Sequence, residues 1–269
     1  MPAAEKGKNS MNTIDLNQWK PVFTDDFDGD RLDAAKWKLR TDSGKDCEVR
    51  RGGYWSKDQL IVRDGHLIIR TEYKNGAMGP GYYTAAITTD GLFEHGYGYY
   101  EARCILPKGE GLWGSFWIQS NNMRIPGKDT DGGRNGAEID IFEAPYYNRG
   151  PQLYGCIASS VHTDGMAPLL HSNHIGDFKV EGLYDHFNTF GLEWNENEYI
   201  FYINRKETCR TSFLKGTSRV PEYMILSVEV CGDKAFPHED WAGLITRNTE
   251  LLPSDFVVDY IHVYDRIPD

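Results

Sequence analysis

No apolar stretch of this 269-residue chain approaches the roughly 20 residues that a membrane span requires, so no membrane partner is expected. Positive charge is also scarce. Lys and Arg total 29 against 40 Asp and Glu, a formal charge of −11 that would repel a phosphate backbone, so nucleic acid is not expected as a partner either. The five cysteines, Cys47, Cys104, Cys156, Cys209 and Cys231, are odd in number and show no zinc or redox spacing. At least one is then a free thiol in the monomer that is expected, and most read as small buried hydrophobes, as where Cys104 and Cys156 sit beside Ile in strand-like runs. The first fifteen residues lack the charged, apolar and small-residue succession of a signal peptide, so the expected location is cytoplasmic as the chain is written, and secreted or periplasmic if a signal was removed. Residues 1–12 are polar and patternless and read as a flexible tail, leaving 13–269 as one domain.

What is present is aromatic and glycine-rich: 16 Tyr, 12 Phe and 7 Trp supply large core side chains, and 28 Gly supply turns between short strands. Ten runs rich in β-branched and aromatic residues stand out, at 66–70, 82–89, 98–103, 112–118, 137–143, 156–162, 190–194, 199–204, 223–230 and 256–264. Sustained helical periodicity is almost missing, which predicts an all-β sandwich of two antiparallel sheets. Residues 120–135 and 167–178 read as long polar loops of the kind that rim a binding face.

The segment Gly136-Ala137-Glu138-Ile139-Asp140-Ile141-Phe142-Glu143 carries acids at i, i+2 and i+5. Spacing alone is weak, because such a window arises roughly once by chance at this acid content, and Asp28, Asp30 and Asp33 match it too. Context separates them: the first set lies in a polar turn, the second is threaded with apolar residues. On a regular strand Glu138 and Asp140 share a face and Glu143 points away. A one-residue bulge at Ile141 or Phe142 would place all three in one row, with the apolar side chains in the core. Like charges so crowded push pKa values apart, which suits a general acid beside a nucleophile. A solvated acidic stripe and a calcium site are the competing readings.

Two carboxyl groups about 5 to 5.5 Å apart mark a retaining glycosidase, and sugars need flat apolar platforms. Trp113 and Trp117 are separated by an even number of residues on one predicted strand and so face one side, although sandwich cores also take such side chains. His162 sits in a strand-like run where it could serve a sugar hydroxyl or the acidic row, or simply be a hydrogen-bonded histidine. Arg50 and Arg51, beside Gly52-Gly53-Tyr54-Trp55, form a local basic and aromatic patch suited to an anionic or hydroxyl-rich sugar.

With these residues the chain resembles glycoside hydrolase family 16, the β-jelly-roll enzymes that include laminarinases, lichenases, agarases and carrageenases. The resemblance rests on the acidic run and on Phe23-Thr24-Asp25-Asp26-Phe27-Asp28-Gly29, Asp64-Gly65-His66-Leu67, Gly96-Tyr97-Gly98-Tyr99-Tyr100-Glu101-Ala102-Arg103, Gly111-Leu112-Trp113-Gly114-Ser115-Phe116-Trp117 and Val258-Asp259-Tyr260-Ile261-His262-Val263-Tyr264, which span nearly the whole chain. The six-residue acidic motif is similar to the laminarinase and agarase branch. The resemblance implies a jelly roll with a concave substrate cleft. It makes Glu138 the nucleophile, Asp140 its electrostatic partner and Glu143 the acid/base. Trp113, Trp117 and His162 match cleft positions, and Tyr54, Trp55, Arg51 and Gln59 join them as expected substrate contacts. Two departures are the Gly114-Ser115 pair, where Pro-Ala is usual, and Gln59, where Asn is common. No cofactor is implied for catalysis, but a structural calcium is expected on Asp26 and Asp259.

The implied activity is endo-acting, retaining hydrolysis of β-1,3-glucan or mixed β-1,3/1,4-glucan. The runner-up is an endo-β-galactosidase on agar-like or host-glycan chains. A carbohydrate-binding jelly roll without turnover would typically have lost an acid, and a transglycosylase would use the same covalent intermediate with sugar as acceptor.

Overall fold

The computed structural model describes residues 12–124, 133–145, 154–165, 170–212, 216–231, 242–247 and 249–268. The expected loop at 120–135 and the expected tail therefore lie partly outside the described residues. Asn12, assigned to the tail, is tied down: its side chain donates to Glu207 at 3.1 Å and its carbonyl accepts the Glu207 N–H.

Eighteen strands are described, joined by turns and short 3-10 segments: β1 (Trp19–Asp25), β2 (Lys38–Leu39), β3 (Cys47–Arg50), β4 (Gly53–Ser56), β5 (Leu60–Arg63), β6 (His66–Gly76), β7 (Gly79–Thr84), β8 (Ala86–Thr88), β9 (Gly98–Ile105), β10 (Leu112–Gln119), β11 (Glu138–Pro145), β12 (Cys156–Thr163), β13 (His171–Lys179), β14 (Asn188–Trp194), β15 (Tyr199–Ile203), β16 (Lys206–Thr211), β17 (Tyr223–Val230) and β18 (Ser254–Arg266). Seven form one sheet in the order β13-β12-β11-β10-β17-β8-β2, and eleven form the other, along β16-β15-β14-β9-β18-β6-β7-β4-β3 with β1 and β5 attached to β18 and β6. This is the expected jelly-roll sandwich. Its pairings are antiparallel apart from a short parallel contact between β4 and β7.

Two sequence readings are corrected. Residues 167–178, expected as loop, contain most of β13, which pairs with β12 from Cys156↔Lys179 to Thr163↔His171. It is an edge strand with most side chains exposed or half-buried, and only Ile175 and Phe178 reach the core, so its polar composition hides it. The run at 82–89 is two strands, because the chain crosses at Ala85 from β7 in the larger sheet to β8 in the smaller.

The core lies between the sheets. β10 contributes Leu112, Phe116 and Ile118, β11 contributes Ile139, Ile141, Phe142 and Ala144, and β17 contributes Met224, Leu226, Val228 and Val230; Leu67, Ile69, Ala102, Phe190, Phe256 and Val258 meet them from the larger sheet. Phe142 spans the gap, with ring centroids 4.5 Å from Phe190, 6.4 Å from Phe256 and 6.5 Å from Phe116. Removing such a ring typically costs about 3 to 5 kcal/mol. All five cysteines are free thiols, with Cys104, Cys156 and Cys231 buried as expected of small hydrophobes.

Candidate active site

Alternation along β10 sends Leu112, Phe116 and Ile118 inward, so Trp113, Ser115, Trp117 and Gln119 face outward over the smaller sheet. On its neighbour β17, the register Gln119↔Tyr223, Trp117↔Ile225, Ser115↔Ser227 and Trp113↔Glu229 puts Tyr223, Ile225, Ser227 and Glu229 on the same face.

β11 breaks the alternation where two apolar residues stand together. Against β10, Trp117 pairs with Asp140 and Phe116 with Phe142, so Ile141 is the extra residue. Against β12, Asp140 opposes Ser160 and Glu143 opposes Ala158 across the same irregularity. This bulge buries both Ile141 and Phe142 and returns Glu143 to the face of Glu138 and Asp140. The three acids thus form a row, with His162 beside Glu138 on β12.

Each member of the row is held differently. Glu138 accepts a short hydrogen bond from the Gln119 amide, whose oxygen in turn accepts the Tyr223 hydroxyl at 2.9 Å. His162 Nε2 lies 3.0 Å from Asp140 Oδ2, and its Nδ1 lies 2.8 Å from the Ser172 hydroxyl on β13. Glu143 is flanked by the small side chains of Ser115 and Ala158 and takes no hydrogen bond from the described residues.

Electrostatics follow from burial and crowding. Burial pushes Glu138 up to about 7, the Asp140 charge adds to it, and His162, the Gln119 hydrogen bond and Arg40 pull it back. Burial, then the charges of Asp140 and Glu138, push Glu143 well above the ordinary carboxylate range. Burial opposes the charging of His162, but the hydrogen bond and charge of Asp140, with the two glutamates, outweigh it and push His162 up to about 9. Side-chain donors of Glu138, Asp140 and His162 lie within 4.8 Å of one another, a spacing that would admit a cation. Protonated His162 supplies that positive charge itself.

The expected sugar contacts divide. Trp117 is half-buried, and its indole N–H is turned to the Ser227 hydroxyl at 3.1 Å. Trp113 faces the same side but is only 3% exposed, covered by the Arg51 guanidinium at 4.9 Å and packed on Cys231 and Ala242. Arg50 chelates Glu229 with contacts of 2.7 to 3.1 Å and stacks 4.5 Å over Trp55, while Arg51 reaches the same carboxylate at 3.4 Å. Trp55 is buried with its N–H on the Val228 carbonyl, and Tyr54 is buried against Tyr83. Trp55 thus supports Arg50 from behind, and neither buried ring offers an open face to a sugar. Gln59 is fully buried, donating to the Arg70 carbonyl and Glu72 and accepting from Lys74, so the structure does not bring it to the cleft. Asp26 pairs with His262 at 2.8 Å, and Asp259 with Arg103 and, at 3.6 Å, His66. The two carboxylates expected to share a calcium thus each have a different side-chain partner.

Sequence reasoning missed Gln119, Tyr223, Ser227, Glu229 and Arg40. Gln119 and the outward residues of β17 follow the alternation already used for the tryptophans, but nothing local distinguishes them from other polar strand positions.

The model described as glycosyl hydrolases family 16 matches residues 49–246. This chain belongs to that family. It is a glycoside hydrolase, 26% identical over 263 residues to the beta-glucanase of Rhodothermus marinus, covering 91% of this chain and 85% of the relative. It is also 26% identical over 274 residues to glucan endo-1,3-beta-glucosidase A1 of Niallia circulans, covering 90% of this chain but 37% of that longer protein. The fold matches the X-ray structure of the laminarinase from Rhodothermus marinus with a TM-score of 0.72 at 22% identity, over 93% of this chain and 98% of the other.

Proposed function

We propose that this family 16 enzyme is an endo-acting, retaining hydrolase of β-1,3-linked or mixed β-1,3/1,4-linked glucan. The bulge that aligns Glu138, Asp140 and Glu143 on one face carries the reading. In the first displacement the Glu138 carboxylate attacks the anomeric carbon while Glu143 gives its proton to the departing glycosidic oxygen, leaving a glycosyl ester on Glu138. In the second, Glu143 takes a proton from water, whose oxygen displaces Glu138 and frees the sugar with its configuration retained. The environments support these roles: among the described residues Glu143 takes no hydrogen bond favouring its charged form and feels only the charges of His162 and Arg51, whereas Glu138 has the Gln119 hydrogen bond together with the charges of His162 and Arg40. Asp140, paired with His162, stands between them and raises both glutamates.

The substrate follows the relatives, a beta-glucanase and a glucan endo-1,3-beta-glucosidase. A panel of laminarin, barley β-glucan, agarose, carrageenan and keratan-type chains with product sizing tests it. Laminarin should yield an early ladder of oligosaccharides. Release of one small sugar would refute the endo mode, and cleavage of agarose or keratan-type chains without action on laminarin would move the enzyme to the galactan class. Glu138→Ala should lose several orders of magnitude in turnover, with azide restoring an inverted glycosyl azide. Near-normal activity in that variant would remove Glu138 from the nucleophile's role.

A further inference from the structure

Two residues that adjoin Glu138, Gln119 across the strand pair and Ala137 before it in the chain, are held from opposite faces of the smaller sheet by two consecutive residues. Tyr223 points to the cleft, where its hydroxyl donates at 2.9 Å to the Gln119 amide oxygen. That donation fixes which way the amide lies, and so presents its NH2 to the Glu138 carboxylate. Glu222, one residue earlier, points inward by strand alternation and is fully buried on the side of Tyr100 and Tyr199. Its Oε1 accepts the backbone N–H of Ala137 at 2.9 Å, and among the described residues its Oε2 has no partner in full hydrogen-bond geometry, with the Ser218 side chain beside the carboxyl.

Ala137 immediately precedes Glu138, and its carbonyl accepts the Ser120 N–H at 3.1 Å, next to Gln119. The preceding Gly136 has φ 127°, and a Cβ there would lie 2.7 Å from the Ser120 Cβ. The entry to β11 is thus fixed in space, and Glu222 is the buried group that anchors it from below. Burying a carboxyl fully to hold one backbone N–H is costly unless that position matters.

We propose that Glu222 and Tyr223 are paired positioning residues, Glu222 fixing the backbone at Glu138 and Tyr223, through Gln119, fixing its carboxylate. The proposal rests on Glu138 as the nucleophile and adds what holds it in line with the anomeric carbon. A displacement of a reacting group by a fraction of an ångström lowers turnover far more than affinity. The groups facing Glu138 are Gln119 from β10, Asp140 and Glu143 from β11, His162 from β12, and the charges of Arg40 and Arg50, with Glu222 beneath.

The test compares Tyr223→Phe, Glu222→Ala and Glu222→Gln on the glycan that the wild type cleaves best, with thermal melting as the folding control. Tyr223→Phe removes one hydroxyl and should lower kcat about tenfold with KM within about twofold. It should also move the acidic limb of kcat/KM to higher pH, because an unpinned Gln119 amide no longer favours ionised Glu138. Glu222→Ala should show a similar loss of kcat and a lower Tm, and Glu222→Gln, which keeps an oxygen acceptor, should recover most of both. Wild-type kcat and an unmoved limb in Tyr223→Phe, or Glu222→Gln as slow as Glu222→Ala at equal folding, would overturn the proposal. Should Glu222→Ala fail to fold, the Tyr223→Phe profile and the turnover of Glu222→Gln relative to wild type decide. Full activity in Glu138→Ala would overturn the nucleophile reading and this one together; loss there with no effect in the three variants overturns this one alone.

Discussion

His162 Nε2 stands 3.0 Å from Asp140 Oδ2, an ion pair between neighbouring strands on the sheet that bears the acids. It raises His162 to about 9 against a burial that would lower it, so the imidazolium persists at neutral pH and offsets part of the acidic row. A folded-state pKa above the unfolded value of 6.5 stabilises the protein fully below about 6.5, and the contribution fades as pH rises through about 9. Asp140→Asn should lower the His162 titration seen by NMR and slow turnover. An unchanged histidine titration with full rate would make Asp140 a bystander.

Glu143→Ala separates the acid from the nucleophile. A polysaccharide leaving group needs a proton, whereas an activated aryl glycoside departs without one. The variant should lose polysaccharide cleavage by orders of magnitude yet form the glycosyl-enzyme from the aryl glycoside, seen as a burst of aryl alcohol. Equal loss on both substrates would point to a structural role.

The legible parts of this site are those written in local pattern. Ile141-Phe142 between acids cannot both follow strand alternation, so the bulge could be read before any coordinates, and the even spacing of Trp113 and Trp117 sets their common face. Partners distant in sequence were illegible. Arg51 covers Trp113, and Glu229, far along the chain, holds both arginines, which turns an expected sugar platform into a supported layer. β13 escaped because an edge strand with few core contacts has the composition of a loop.

The same geometry predicts unequal tryptophans. Trp117, half-buried and oriented by Ser227, should act in stacking: Trp117→Ala should raise KM or lower turnover on oligosaccharides with little change in Tm. Trp113→Ala should instead cost stability of about 3 to 5 kcal/mol, since its ring is already covered. Melting curves and Michaelis plots for the pair check the division, and a reversed pattern would assign the sugar platform to Trp113.

Deleting Ile141 tests the bulge directly. The register pairs Trp117 with Asp140 and Phe116 with Phe142, so Ile141 alone has no counterpart on β10. Without it the acids would stand at i, i+2 and i+4 of a regular strand, which share one face, and Phe142 would stay in the core. The deletion should therefore keep a measurable fraction of the activity. It removes a buried side chain and the 2.9 Å bond from the Ser159 hydroxyl to the Ile141 carbonyl, at an expected cost of about 2 to 5 kcal/mol. Inserting one Ala after Ile141 puts the acids at i, i+2 and i+6, which also share one face, but carries Glu143 two residues, roughly 7 Å, farther along the strand from Glu138 than in the deletion. That variant should lose activity by orders of magnitude at any temperature where it remains folded. If the insertion is as active as the deletion while melting cooperatively, a common face suffices and the spacing between Glu138 and Glu143 does not limit the reaction.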